Sequence, residues 1–318
     1  MKKSRIACAF TMSLSTALLT TRVYAAGADN PTPDLLQDCR QTKDLNRAIA
    51  ACSEVIRAGS KDAKVYVSRA YAYILKNDYD HALADCEEAI RLNPKDAVAF
   101  RHRGEIYRVR GDDDRAIADL TKALSLDSND TMALVDLGNI YASQGATAKA
   151  IADFSAAIQI DADKTFGGQL AHLNRGIVYL YDGALDKAHA DFKKITELDP
   201  KEPFFAIWLH IAQSRAHSPS TFASVVPNLH TTAWSLPFVR LYLGEETPEA
   251  FLASVRASVG TKPHGMCDAD FYVAEFNYLQ NKHDEAVRFY RAAHQDCGRN
   301  FLEWTAAIAA LRSLGEKF

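Results

Sequence analysis

The sequence contains none of the short signatures that announce catalysis. There is no Gly-x-Ser-x-Gly elbow, no phosphate loop, no His-Glu-x-x-His pair and no dinucleotide-type glycine pattern. Basic residues are in deficit, with 37 Lys and Arg against 40 Asp and Glu, whereas a duplex-binding surface announces itself by a basic balance. A calcium loop is missing too. The acidic stretches "GDDDRA" at Gly111 and "DADKTFG" at Asp161 lack the alternating oxygen ligands, the sixth-place glycine and the closing glutamate. What remains is ordinary globular composition, 48% hydrophobic and 24% charged over 318 residues.

The front end departs from that composition. "MKKSRIACAFTMSLSTALLTTRVYA" opens with Lys2, Lys3 and Arg5, continues with an apolar stretch too short to span a bilayer, and ends in small-residue cleavage sites. Cleavage after Ala25 or after Ala28 fits a secretory signal peptide occupying residues 1–28. Cys8 lies too early to carry a lipid. The expectation is a periplasmic or secreted protein with no stable membrane insertion after cleavage. Loss of Lys2, Lys3, Arg5 and Arg22 leaves 33 basic against 40 acidic residues, a net of −7, which argues further against nucleic acid as a partner.

An internal period accounts for most of the rest. "DLNRAIAACSEVI", "DYDHALADCEEAI", "DDDRAIADLTKAL" and "ATAKAIADFSAAI" align so that Ala48, Ala82, Ala116 and Ala150 recur every 34 residues. Ala188 continues the series after an insertion around "KTFGGQ", and Ala286 belongs to a later copy. Twelve residues before most of these alanines stands another small residue: Ala70, Gly104, Gly138, Gly176 or Ala274. A tyrosine usually follows three places later, at Tyr73, Tyr107, Tyr141 and Tyr179. Helical apolar spacing broken by "KND", "RGD" and "SQG" reads as antiparallel helix pairs. A small residue on the first helix faces the alanine on the second, and Leu120, Phe154 and Phe192 fill the volume beside that contact. "GDDDRA" is then a turn and a helix start, where acids favour the positive helix end.

In length, order and residue identity this pattern resembles the tetratricopeptide repeat over residues 29–202, five copies in all. The resemblance implies an all-α, right-handed superhelical solenoid whose first helices line a concave groove. Ser128 and Ala162 stand where an end proline is usual, and the first copy has a short first helix after Pro33. Residues 203–260 lose the phase, as a degenerate helical segment. Residues 261–318 read as one further helix pair and a capping helix. The Trp208 helix, "W-x-L-P" at Trp234, "LYLGEETPE", "FY-x-A-E" at Phe271 and "NFLEW" at Asn300 resemble exported bacterial tetratricopeptide proteins of the NlpI type. Members of that group act as envelope adaptors that dock cell-wall hydrolases or proteases.

Five cysteines remain after cleavage. Repeat phase puts Cys39 at the tyrosine position and Cys52 at the facing bulky position. Export then favours a bridge between them, which would contribute about 3 kcal/mol by restricting the unfolded chain. Cys267 and Cys297 start and end a helix pair and suit a second disulfide. The alternative is zinc held by the two His-x-x-Cys segments, His264 with Cys267 and His294 with Cys297. Cys86 reads as an inert core thiol, and His189 and His210 as polar or packing residues on helices.

By repeat phase, first-helix positions five, nine and twelve form the groove, among them Tyr71, Arg101, Glu105, Arg108, Asn139 and Ile177. Apolar ends flank a polar middle suited to an extended or helical peptide. Otherwise these side chains form a solvated face or pack against the chain's own tail. The leading expectation is a non-enzymatic scaffold without a cofactor that binds a protein or peptide partner. A metal-linked or catalytic C-terminal region and a self-assembling homo-oligomeric module are the alternatives.

Overall fold

The computed structural model describes residues 33–161, 166–259 and 266–317. The signal-peptide reading, His264 and the first two residues of "KTFGGQ" lie outside them. Among the described residues there are seventeen α-helices and no strand.

Five helix pairs come first: α1 (Pro33–Arg40) with α2 (Leu45–Arg57), α3 (Ala63–Leu75) with α4 (Tyr79–Leu92), α5 (Ala97–Val109) with α6 (Asp113–Leu126), α7 (Thr131–Ser143) with α8 (Thr147–Asp161), and α9 (Phe166–Tyr181) with α10 (Leu185–Leu198). Aspartates start six of these helices in succession. Asp44, Asp62, Asp78, Asp96, Asp112 and Asp130 each accept a backbone N–H in the first turn of the helix that follows. Such a cap stabilises by about 1 kcal/mol. In "GDDDRA", Asp112 is the cap of α6, with Asp113 and Asp114 in its first turn.

The periodic small residues set how closely paired helices approach. Ala48, Ala82, Ala116, Ala150 and Ala188 are fully buried. A Cβ built on Gly104 would meet Leu120 Cγ at 2.8 Å and the Ala116 carbonyl at 3.3 Å. On Gly138 and Gly176 it would meet the rings of Phe154 and Phe192 at 2.5 and 2.7 Å. The nearest neighbour of each glycine is therefore the bulky side chain one turn beyond the alanine, rather than the alanine itself.

A second periodic contact ties the helices of a pair together. The guanidinium of Arg69 donates to both oxygens of Asp85, Arg103 to Asp119 and Arg175 to Asp191, at 2.6–2.9 Å. In the fourth copy Leu137 occupies the arginine place, and Asp153 Oδ2 is buried without a hydrogen-bond partner.

Beyond the pairs run α11 (Pro203–Arg215), α12 (Phe222–Val225), a 3-10 turn, α13 (Leu236–Leu243), α14 (Pro248–Val259), α15 (Cys267–Leu279), α16 (His283–Asp296) and α17 (Leu302–Ser313). Trp208 on α11 is buried between Phe192 of the last repeat and Phe271 of α15, with ring centroids 5.4 and 5.5 Å away. At the heart of this region Glu275 is fully buried. It accepts from Arg215 Nη2 at 2.8 and 2.9 Å, from the Tyr181 hydroxyl at 2.5 Å and from the Tyr290 hydroxyl. Arg215 also lies over the Tyr278 ring at 4.1 Å. The irregular tail is thus fixed to the repeat array by a desolvated polar cluster as well as by aromatic packing.

Candidate functional site

First helices of successive repeats lie side by side, α3 on α5, α5 on α7 and α7 on α9, and so form the inner wall of the array. The C-terminal segment enters that wall. One face of α17 belongs to the core shared with α15 and α16, where Ala306, Ala307, Ala310 and Leu311 are almost wholly buried. The opposite side packs against α7 and α9.

Two arginines anchor the segment along the repeat edge. The turns before α6 and α8 each contain a residue at positive φ, Gly111 and Gly145. Those two glycines also leave room for the arginines. A Cβ on Gly111 would lie 2.8 Å from Arg299 Nη1, and one on Gly145 would lie 3.1 Å from Arg312 Cζ. Arg299 pairs with Asp113 at 3.0 Å, while Arg312 donates to the carbonyls of Ala142 and Ser143.

The groove residues read from repeat phase fall into two groups. Tyr71 is 39% exposed and stacks on the His102 ring at 5.3 Å. Arg101 Nε donates to Asp130 Oδ2 at 2.9 Å, so the cap of α7 also holds an arginine of the preceding repeat. Arg108 pairs with Asp136 at 3.1 Å and donates to the Arg299 carbonyl at 2.7 Å. Glu105 lies between them. Burial pushes its carboxyl up, but His102, Arg108 and Arg101 outweigh burial and hold it below the usual range. Burial drives Asp136 up to about 6 against the pull of Arg108, and it keeps His102 below the usual imidazole range. These charges form one internally paired network across two repeats.

Asn139 and Ile177 sit elsewhere, beneath α17. Asn174 Nδ2 donates to Asn139 Oδ1 at 2.9 Å, and Ile177 is 2% exposed. With the inner side of α17 they line a pocket of about 220 Å³. Toward the first repeats the wall stays open, and there Tyr71, Leu75 and Val98 expose 38–44% of their surface.

The cysteines are placed plainly. Cys39 is bonded to Cys52 and Cys267 to Cys297, with Cα atoms 4.7 and 5.0 Å apart. A bonded pair offers no thiolate to zinc, and among the described residues no cluster of three His, Cys, Asp or Glu is arranged to hold a metal ion. His294 lies beside Trp304, ring centroids 5.8 Å apart. Cys86 is buried, and burial raises its thiol well above the ordinary range. His210 bonds Ser220 at 2.7 Å. No helix among the described residues is long and apolar enough to cross a membrane.

Helix pairs repeating in step, with an inner wall of first helices, define the class: an all-α helical-repeat protein. Family models described as "Tetratricopeptide repeat" match residues 63–96 and 102–165. The chain thus contains tetratricopeptide repeats, which are typically protein-interaction modules. No curated protein matches it significantly in sequence. Among solved structures it is similar to PilF of Pseudomonas aeruginosa at 17% identity, covering 76% of this chain and 94% of that one, with a TM-score of 0.48. It is similar also to a tetratricopeptide repeat protein from Parabacteroides merdae at 13% identity, covering 88% and 98%, with a TM-score of 0.48. A third is YrrB, described as a TPR protein with an unusual peptide-binding site, at 22% identity, covering 60% and 99%, with a TM-score of 0.41.

Proposed function

We propose that this protein is an exported, non-enzymatic adaptor that binds a protein or peptide partner along the open part of its inner wall. The observation that carries the reading is the exposure of Tyr71, Leu75 and Val98 on α3 and α5, where the wall is not covered by the C-terminal segment. Tyr71 and Leu75 stand one turn apart on the same helical face. Arg101 and Glu105 lie beside them, engaged with Asp130 and His102, and rim the apolar patch with charge. Apolar anchors rimmed by polar groups suit an amphipathic segment laid across the helices.

Export is supported by the leader-like N-terminus and by two disulfides, which persist in oxidising compartments. The resemblance of the tail motifs to those of NlpI-type proteins favours an envelope partner such as a cell-wall hydrolase or protease. The test is affinity capture from an envelope extract with two baits, the unaltered protein and a Tyr71→Ala, Leu75→Ala variant of equal helicity. A partner recovered by the first bait and lost with the second supports the reading. Equal recovery by both overturns the assignment of this surface.

A further inference from the structure

The C-terminal ends of α9, α11, α15 and α17 meet around a pocket of about 380 Å³, and α10 and α16 begin at its rim with Leu185 and His283. Its polar groups are unevenly engaged. Carbonyls at the four helix ends, among them Leu180, Ser214, Tyr278 and Arg312, accept N–H groups from the turns that follow. The two helix starts are the reverse case. Ala184 and Lys282 provide no side-chain cap, so the first N–H groups of α10 and α16 are left as open donors.

Arg215 governs the chemistry of this space. Its guanidinium lies over the Tyr181 and Tyr278 rings, 4.9 and 4.1 Å from their centroids, and its side chain is 9% exposed. Nη2 is engaged by Glu275 and the Tyr290 hydroxyl, and Nε is buried without an acceptor. Nη1 also has no acceptor among the described residues, and it is the nitrogen that remains to face the pocket. No aspartate or glutamate is among the described residues lining the space, whereas His217 and Asn281 bring further N–H groups to it. Open donors without a competing carboxylate are complementary to an oxyanion, which makes the shorter and stronger bonds to a guanidinium. Leu185, Leu279 and Leu314 make the rest of the wall apolar.

We propose that this pocket binds a small organic molecule carrying one oxyanion group, which accepts from Arg215 Nη1 and from the open start of α16 while its apolar body rests on Leu279 and Leu314. Buried Glu275 already balances the guanidinium from behind, so the fit is to a single anionic group. A carboxylate and a phosphate monoester both present this chemistry. The assignment stands independently of the surface around Tyr71.

The test uses benzoate, phenyl phosphate and benzyl alcohol, which share an aromatic body and differ in charge. Each is titrated at constant ionic strength into protein labelled with nitrogen-15 in arginine, while the Arg215 side-chain NMR signals are followed. Saturable shifts are expected with an anion, which should bind about tenfold more tightly than the alcohol. Tighter binding of benzoate assigns the site to carboxylates, and tighter binding of phenyl phosphate to phosphate monoesters. Arg215 also holds the tail in place, so the variants are made at exposed His283 instead. His283→Glu suits the first turn of α16 and sets a competing carboxylate at the rim, so anion affinity should fall about tenfold; His283→Gln should retain it. Absence of saturable Arg215 shifts with both anions, equal affinity for anion and alcohol, or undiminished anion affinity in a His283→Glu variant of parental helicity overturns the proposal without bearing on the protein partner.

Discussion

Gly138 and Phe154 stand so close that a Cβ on the glycine would lie 2.5 Å from the phenylalanine ring. The ring is fully buried and packed directly on the glycine. Gly138→Ala gains about 1 kcal/mol of helix propensity but forces the helices apart, an overpacking that costs about 1–3 kcal/mol. The expected outcome is a net loss of stability in urea unfolding. Gly138→Ala combined with Phe154→Leu should recover much of it, because the smaller side chain vacates the contact. A variant as stable as the parent would show that the interhelical distance is not set by this glycine.

Asp153 is the one member of its series without an arginine across the pair. Burial lifts its carboxyl above the usual range, with Lys149 opposing weakly. A raised value in the folded state means that the protonated form is favoured by folding. Its contribution is present at low pH and turns into a cost as pH rises through the shifted value. Asp153→Asn should therefore stabilise at pH 7 by up to about 1 kcal/mol after allowance for the residue's partial exposure. Near pH 3 the effect should vanish. Thermal unfolding at both pH values checks the sign.

The helix pairs were legible because each is written in local spacing, repeated until the phase is unmistakable. Ala82, Gly104 and Ala116 could be placed from one sequence. The arginine–aspartate pairs were legible by the same logic, since Arg69 and Asp85 recur together as Arg103 and Asp119, yet the apolar period alone does not draw attention to them. Position in a repeat does not reveal what the next repeat offers. Arg101 and Arg108 looked available to a partner, whereas Asp130 and Asp136 on α7 already hold them. The course of the C-terminal segment carried no local signal at all. Arg299 reaches Asp113 from 186 residues away, a contact that only the closed superhelix creates.

Arg215 and Glu275 form a desolvated pair whose partners lie 60 residues apart in the chain. Removing the cation alone leaves a buried carboxylate with only tyrosine hydroxyls. Arg215→Leu should destabilise by about 3–5 kcal/mol. Replacing both residues with leucine should restore part of that loss, because no buried charge remains, although the Tyr181 and Tyr290 hydroxyls lose their acceptor. A double-mutant cycle in denaturant measures the coupling. If the double variant is no better than Arg215→Leu, the cluster holds the tail by shape rather than by charge.

Glu303, on the first turn of α17, faces Asp268 across the packing between α17 and α15. Burial and the charge of Asp268 push the Glu303 carboxyl from its ordinary value of 4.5 up to about 8, and burial pushes Asp268 up to about 6. Both shifts favour the protonated form in the folded state, so stability present at low pH is lost as pH rises through these values. Glu303→Gln keeps the shape and removes the ionisation. It should behave like the parent at pH 4 and exceed it in alkaline solution by on the order of 2 kcal/mol after solvent screening. That corresponds to a Tm higher by roughly 5 °C. The advantage should develop between about pH 5 and 8, and amide exchange in α17 should slow over the same range in the variant relative to the parent. An advantage that is flat across pH would instead assign the effect to packing of the side chain.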